Sequence, residues 1–422
     1  MRSTSSIARS FPIESVREQF PSLLERDAGA ARIYLDNPAG TQVPCAVIDA
    51  VTKFYRRSNA NLGGFFSTSH AAEDLLHRAY AAAATFVGGA SEREIVIGQS
   101  MTALTFSFSR SLGRMFAPGD EVVVTRMDHD GNIAPWLAMA QERGMKVRWV
   151  AVDTQTWRIE PAALESVLSS RTKIVALNYA SNLSGSINDV RTLTKLAHAA
   201  GALVYVDAVQ FAPHRLVEAP ALECDFLLCS AYKFYGPHTG MLWAREELLD
   251  SLYAYKVRPL PQTLPDKFEV GTPQLELLAG LEACIGYYAA LGESSASPQP
   301  QRAAIELAYR EIEAWESALA ARLLEGLREL PGVTVRGITD PHQMQWRVPT
   351  ISFTHASRSS ASIARAMADR GIFVWSGHNF ALELSRALGL DDEDGVVRIG
   401  MAHYNTPEEI DAAIGALRNI LG

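Results

Sequence analysis

Cysteine is scarce in this chain, with four residues (Cys45, Cys224, Cys229, Cys284) among 422. No two stand in a C-x-x-C pair, and four irregularly spaced thiols are too few for a disulfide framework. Neither a zinc site nor any other metal centre is expected, and the thiols read as reduced ones in a cytoplasmic protein. Positive charge is also short: 39 Lys and Arg face 47 Asp and Glu, a net charge of −8. No net-basic face offers itself to phosphates, so nucleic acid is not an expected partner. No apolar run approaches the roughly 20 residues that span a bilayer, so no membrane partner is expected. Met1–Ser10 carries two arginines and scattered serines without an apolar stretch, unlike a secretory signal. Internal repeats and low-complexity tracts are absent as well.

What remains is ordinary globular composition, 48% hydrophobic and 20% charged, in a chain long enough to bury a sizeable core. The length suits two or three domains, or one large α/β unit with an appendage. Short runs rich in Val, Ile and Leu recur at Glu94–Gly98, Glu121–Arg126, Lys146–Val152, Lys173–Asn178, Ala202–Asp207, Asp225–Ser230 and Gly240–Ala244. Each has the length and near-continuous apolarity of a strand covered on both faces. Helical patterns separate most of them, at Thr102–Arg114, Ile133–Arg143, Pro161–Ser169 and Arg191–Ala200. The alternation predicts an α/β fold on a mainly parallel seven-stranded sheet. The last two runs have no helix between them, which points to one antiparallel strand there.

Beyond residue 275 the pattern changes. Long helices are expected at Leu275–Leu291 and Arg302–Leu327, around the turn chemistry of Gly292–Pro300. Strand candidates follow at Val333–Gly337, Pro349–His355, Ile372–Trp375 and Val396–Met401, with helices near Ser359–Arg370 and from Pro407. The expected division is an N-terminal segment over 1–30 packing on a smaller domain, a large domain over 31–275, and a smaller α+β C-terminal domain over 276–422.

The chemistry centres on Lys233, which follows the apolar run Asp225–Ser230 in a turn closed by Gly236 and Pro237. A lysine in such a place is costly unless paired, solvated or used covalently. Desolvation would make it a nucleophilic amine able to form a Schiff base, although a surface lysine at a strand end fits the same residues. Asp207 ends another buried run, 26 positions earlier. There it could hold a pyridinium nitrogen protonated, or simply cap the next turn. Both would lie at the sheet edge where open α/β folds bind ligands.

Together with these two segments, Tyr34-Leu-Asp-Asn-Pro-Ala-Gly-Thr-Gln42, Met127-Asp-His-Asp-Gly-Asn-Ile-Ala-Pro-Trp136, Tyr179-Ala-Ser-Asn-Leu-Ser-Gly185, Phe268-Glu-Val-Gly-Thr-Pro273 and Val397-Arg-Ile-Gly-Met-Ala-His-Tyr-Asn-Thr406 carry a resemblance over nearly the whole chain. It resembles the class V aminotransferases, enzymes of the pyridoxal 5′-phosphate-dependent transferase fold type I, close to the cysteine desulfurase and selenocysteine lyase branch. The resemblance implies pyridoxal 5′-phosphate as cofactor, an L-α-amino acid as the small-molecule substrate, and a homodimer. It implies that Lys233 carries the cofactor as a Schiff base and moves the α-proton. Asp207 would pair with the ring nitrogen, and His129 would stack on the ring as a second catalytic residue. Asn182 and Gln210 would meet the ring-oxygen side. The phosphate would lie where Ser100, Met101 and Thr102 open a helix, with hydroxyl help from Ser230 and Tyr232 and from Thr272 of the other subunit. Ser100 and Thr102 also suit plain helix caps. Arg398 would grip the substrate carboxylate with its planar fork.

Three stretches depart from the desulfurase pattern. The loop that would carry a nucleophilic cysteine reads Val374-Trp-Ser-Gly-His-Asn-Phe-Ala381, with His378 kept and with Asn379 and Phe380 where the thiol is needed. Tyr232 stands where desulfurases usually have histidine. The segment Asn59-Ala-Asn-Leu-Gly-Gly-Phe-Phe-Ser-Thr-Ser69 lacks an expected basic residue; Asn61, with His378 and Asn379, completes the candidate substrate contacts. A persulfide relay is not expected. The favoured activity is a Cβ–heteroatom lyase acting by β-elimination, with transamination and epimerisation as alternatives and a non-catalytic binding role as the last.

Overall fold

The computed structural model describes residues 11–27, 29–293 and 300–422. Its main sheet has seven strands: β1 (Ile95–Gly98), β2 (Glu121–Thr125), β3 (Lys146–Val150), β4 (Thr172–Asn178), β5 (Leu203–Asp207), β6 (Phe226–Ser230) and β7 (Gly240–Ala244). Their spatial order is β1-β7-β6-β5-β4-β2-β3. All neighbours run parallel except β7, which is antiparallel to both β1 and β6. The strands bracket all seven apolar runs. Every residue of β2, β6 and β7 is buried, as helices on both faces require. Only β3, at the edge, alternates between exposed and half-buried positions.

The helices that matter for the site are α1 (Cys45–Arg57), α2 (Ser67–Val87), α3 (Met101–Gly113), α4 (Leu275–Glu293) and α5 (Gln301–Arg328). Read as a helix rather than an unbroken run, α4 is long and apolar enough to cross a membrane, which the linear reading had not recognised. It packs against α1, α2 and α5, with about two-thirds of its apolar stretch buried. That is how a helix apolar on every side behaves inside a core. Most of the Gly292–Pro300 turn lies outside the described residues.

The C-terminal sheet is antiparallel, in the order β8 (Val333–Val335), β9 (Thr350–His355), β11 (Val396–Gly400), β10 (Trp375–Gly377). The N-terminal residues bind to this half of the molecule. Phe11 stacks on Trp315 at 5.1 Å, and Arg17 pairs with Glu409 at 2.9 Å. Phe20 is fully buried among Tyr235, Tyr287, His403 and Tyr404. Ile33–Tyr34 pairs in parallel with Ile372–Phe373, and Asp36 bridges to Gly400. The chain then crosses over, so Pro38 and Thr41 lie against the turn that carries Lys233.

Candidate active site

A cleft opens at the carboxyl ends of β4, β5 and β6. It is lined by Ser100, Met101, Thr102, His129, Asn182, Asp207, Gln210, Ser230, Tyr232 and Lys233, ten of the residues singled out in the sequence, together with Asn178, Ala180 and Val209. Parallel strands bring them together because their carboxyl ends all point to one edge.

Lys233 follows β6 in a tight turn. Its Nζ donates to the carbonyl of Pro38 and lies 4.9 Å from the centre of the Tyr232 ring. Burial, helped by the nearby Arg398, pulls its ammonium down to about 7, so a large fraction is the neutral nucleophilic amine at neutral pH. Asp207 accepts from the Val209 N–H at 2.8 Å, and burial pushes its carboxyl up to about 6. It remains mostly ionised at pH 7, a suitable partner for a protonated ring nitrogen.

His129 is held from below. Asn132 Nδ2 donates to Asp128 at 2.7 Å, Thr125 Oγ1 donates to the same carboxyl, and Asn178 Nδ2 donates to the Met127 carbonyl at 3.0 Å. His129 Nδ1 accepts the Gly131 N–H at 2.9 Å, which leaves its hydrogen on Nε2. Burial first, and then the Lys233 and Arg398 charges, drive its pKa down to about 3. The ring is therefore a neutral plate at physiological pH.

Ser100 caps α3, its Oγ accepting the Ala103 N–H at 3.1 Å, so the capping alternative is realised. Met101 and Thr102 begin the helix at the cleft wall. The approach depends on Gly240, where a Cβ would come within 2.3 Å of the Ser100 backbone.

Arg398, on β11, is buried. Its Nη1 donates to the Asn182 carbonyl at 3.1 Å, and its Nη2 lies 3.3 Å from Asp36 Oδ1. Asp36 was not singled out as a site residue, although it lies inside one of the quoted motifs. The missed signal was a carboxylate that a buried arginine needs as a partner. Asp128 and Asn178 were missed likewise, because Asp128 acts through Thr125 and Asn132 and Asn178 through the Met127 carbonyl.

The turn at His378, Asn379 and Phe380 folds onto the cleft. Asn182 Nδ2 donates to the Asn379 carbonyl and the Asp130 N–H to the Phe380 carbonyl, each at 2.7 Å. Phe380 stacks beside His129, with ring centres 5.4 Å apart. Asn379 and Phe380 both hold left-handed φ, 53° and 59°, a conformation that costs non-glycine residues free energy unless contacts impose it. Asn61 and Thr272 are not in this cleft. They line another, with Leu62, Gly63, Glu73 and Pro273.

An α/β frame with a desolvated lysine and a strand-end aspartate facing one cleft defines an enzyme that carries a carbonyl cofactor. The family model for class V aminotransferases matches residues 33–413, and the chain belongs to that family. It is 36% identical over 98% of its length to an aminotransferase-like protein of Gibberella zeae, covering 99% of that protein. It is 30% identical to a cysteine desulfurase of Pectobacterium carotovorum, covering 97% of this chain and 98% of that one. Among solved structures, the cysteine desulfurase of Thermococcus onnurineus superposes with a TM-score of 0.84 at 28% identity, over 97% of this chain and 98% of the other. The Escherichia coli cysteine desulfurase CsdA gives 0.84 at 26%, over 98% and 100%. The chain is thus a pyridoxal phosphate-dependent enzyme of amino-acid chemistry. Its side chains fit that cofactor: beside the amine and the acid, Asn182 Oδ1 and Arg398 Nε are buried polar atoms without a partner, as a site built to receive a ligand leaves them.

Proposed function

We propose that this enzyme is a Cβ–heteroatom lyase, working on an L-α-amino acid by β-elimination and without a persulfide cysteine. The observation that carries the reading is the turn at 378–380. Where a desulfurase-like relay needs a thiol, the chain places an amide and a phenyl ring, tied by hydrogen bonds to Asn182 and Asp130. Cys224, Cys229 and Cys284 are buried, and burial raises their thiols far above the ordinary range. Cys45 is exposed at the start of α1, outside the cleft lining. Sulfur transfer to a cysteine needs a reachable thiolate, whereas a β-substituent that departs as sulfur dioxide or a stabilised thiolate needs none.

Arg398 would hold the substrate carboxylate through its fork, and the neutral amine of Lys233 would take the α-proton. Bound pyridoxal phosphate supplies the electron sink that makes this proton removable, with Asp207 holding the ring nitrogen, His129 covering the ring, and the start of α3 with Ser230 and Tyr232 taking the phosphate. In elimination the Cα–H electron pair becomes the Cα–Cβ double bond, the Cβ–heteroatom pair leaves with its group, and water releases pyruvate and ammonium. With cysteine sulfinate the same residues serve a different cleavage: the Cβ–S pair stays on carbon, the sulfur leaves as sulfur dioxide and is hydrated to sulfite, and protonation of Cβ gives alanine. The homodimer and a cytoplasmic location belong to the same proposal. Thr272 and Asn61 lie together away from Lys233, which suits residues that complete a partner's site.

The test incubates the holoenzyme with L-cysteine sulfinate and S-substituted cysteines, and measures sulfite, thiol, alanine and pyruvate beside Lys233→Ala. Release of the β-group, with no persulfide on any cysteine by mass spectrometry, is expected. Conversion of the cofactor to its amine form with a keto acid as product would replace this reading with transamination.

A further inference from the structure

Gln210 lines the cleft, and its amide also begins a line of buried polar groups that leads away from it. Its Nε2 donates to Thr350 Oγ1 at 3.0 Å and lies 3.4 Å from His214 Nε2. His214 Nδ1 lies 2.9 Å from Glu316 Oε2 on α5. All four side chains are buried. Beyond Gln210, none of them lines the cleft.

The hydrogens can be counted along this line. An ionised carboxylate only accepts, so Glu316 fixes the histidine hydrogen on Nδ1. His214 Nε2 is then a bare acceptor and takes one amide hydrogen of Gln210, while the Thr350 hydroxyl takes the other. The carbonyl oxygen, Oε1, is the end left to the cleft. We propose that His214 and Glu316 are positioning residues that fix which end of the Gln210 amide meets the cofactor's ring-oxygen side, and that uptake of one proton by the pair reverses it.

The reversal needs only that proton. A carboxylic acid at Glu316 donating to Nδ1, or an imidazolium at His214, equally puts a hydrogen on Nε2. That N–H then donates to Oε1, the Thr350 hydroxyl turns to donate to it as well, and the NH2 end faces the cleft. An acceptor becomes a donor beside the ring oxygen, with no covalent bond changed except those of the proton. Burial lifts the Glu316 carboxyl above its ordinary range, while His214 and Arg215 pull it back and Glu313 pushes it up. Arg215 is itself tied to Glu313 at 3.4 Å. The remaining groups facing the pair are Tyr235 and Tyr404 toward Glu316, and His403 toward His214.

The inference rests on Gln210 facing the ring oxygen, so its test separates the two. The absorbance of the bound cofactor is titrated with pH in the holoenzyme, in Glu316→Gln, in His214→Phe, in Gln210→Ala, and in each of the first two combined with Gln210→Ala. A neutral amide at 316 holds the Nδ1 hydrogen less firmly and favours the donor end, which stabilises the anionic ring oxygen, so the midpoint should fall by about 0.5–1 pH unit. His214→Phe should also move it, and both shifts should vanish in the Gln210→Ala background. Shifts that persist there, or no shift in either single variant, would overturn the relay. A Gln210→Ala holoenzyme that titrates like the unaltered one would instead remove Gln210 from the cofactor, and the relay with it.

Discussion

Phe380 lies stacked beside His129, with ring planes 28° apart and centres at 5.4 Å, while 65% of its surface remains exposed at the mouth of the cleft. A ring so placed touches a catalytic plate on one side and the substrate approach on the other. Phe380→Ala should leave the melting temperature nearly unchanged, because little of the ring is buried. It should lower kcat/KM for S-aryl and S-alkyl cysteines about tenfold, an ordinary worth for one apolar wall, and change cysteine sulfinate much less. Equal losses for both classes would show that Phe380 does not meet the β-substituent.

Lys233 gives a pH signature in the cofactor-free protein. Its folded-state pKa of about 7 lies below the ordinary lysine value of 10.5, so between these values the unfolded chain binds more protons than the native one. Stability must therefore rise with pH across that window, and fall again as pH drops toward 7. In Lys233→Met that contribution disappears. Denaturant titrations at pH 7 and pH 10 should differ between the two proteins by about 2–4 kcal/mol in their pH dependence. Parallel pH curves would place Lys233 in solvent.

Arg398 and Asp36 hold each other inside the protein at 3.3 Å. Arg398→Met leaves Asp36 as a buried carboxylate with its guanidinium gone, and should cost about 3–5 kcal/mol of stability. Adding Asp36→Asn should restore much of that loss, because the stranded charge goes too. Catalysis should not recover in the double variant, since the carboxylate grip is still missing. Chemical denaturation and KM, measured on the same three proteins, separate the structural from the binding contribution.

If Thr272 completes the partner's site, mixed dimers will show it. Lys233→Ala and Thr272→Ala should each be weak alone. Unfolded and refolded together, they should recover about a quarter of normal activity, because half the dimers are hybrids with one intact site of two. No recovery, in a preparation shown by sedimentation to be dimeric, would place Thr272 outside the neighbouring site.

The sequence by itself determined the frame. Apolar runs of strand length, separated by helical periods, prescribe a buried parallel sheet, and all seven strands form at those runs. That Lys233 and Asp207 share one cleft was legible because a charged residue at the end of a buried strand has few inexpensive explanations. The helix start at Ser100 was legible from its capping chemistry. Tertiary structure alone decided the rest. Asp36 meets Arg398 across 362 residues of chain, and Asn182 meets the Asn379 carbonyl across 197. No spacing rule reaches so far, because such contacts depend on how two sheets dock rather than on local periodicity. The same docking sets Thr350 of the C-terminal sheet and Glu316 of α5 around Gln210 and His214. Hydrogen-bond roles in that line follow from which donor faces which acceptor, and a linear order of residues does not contain that information. Membership of the family could be read from motifs, whereas the way the substituted turn closes on His129 required the folded chain.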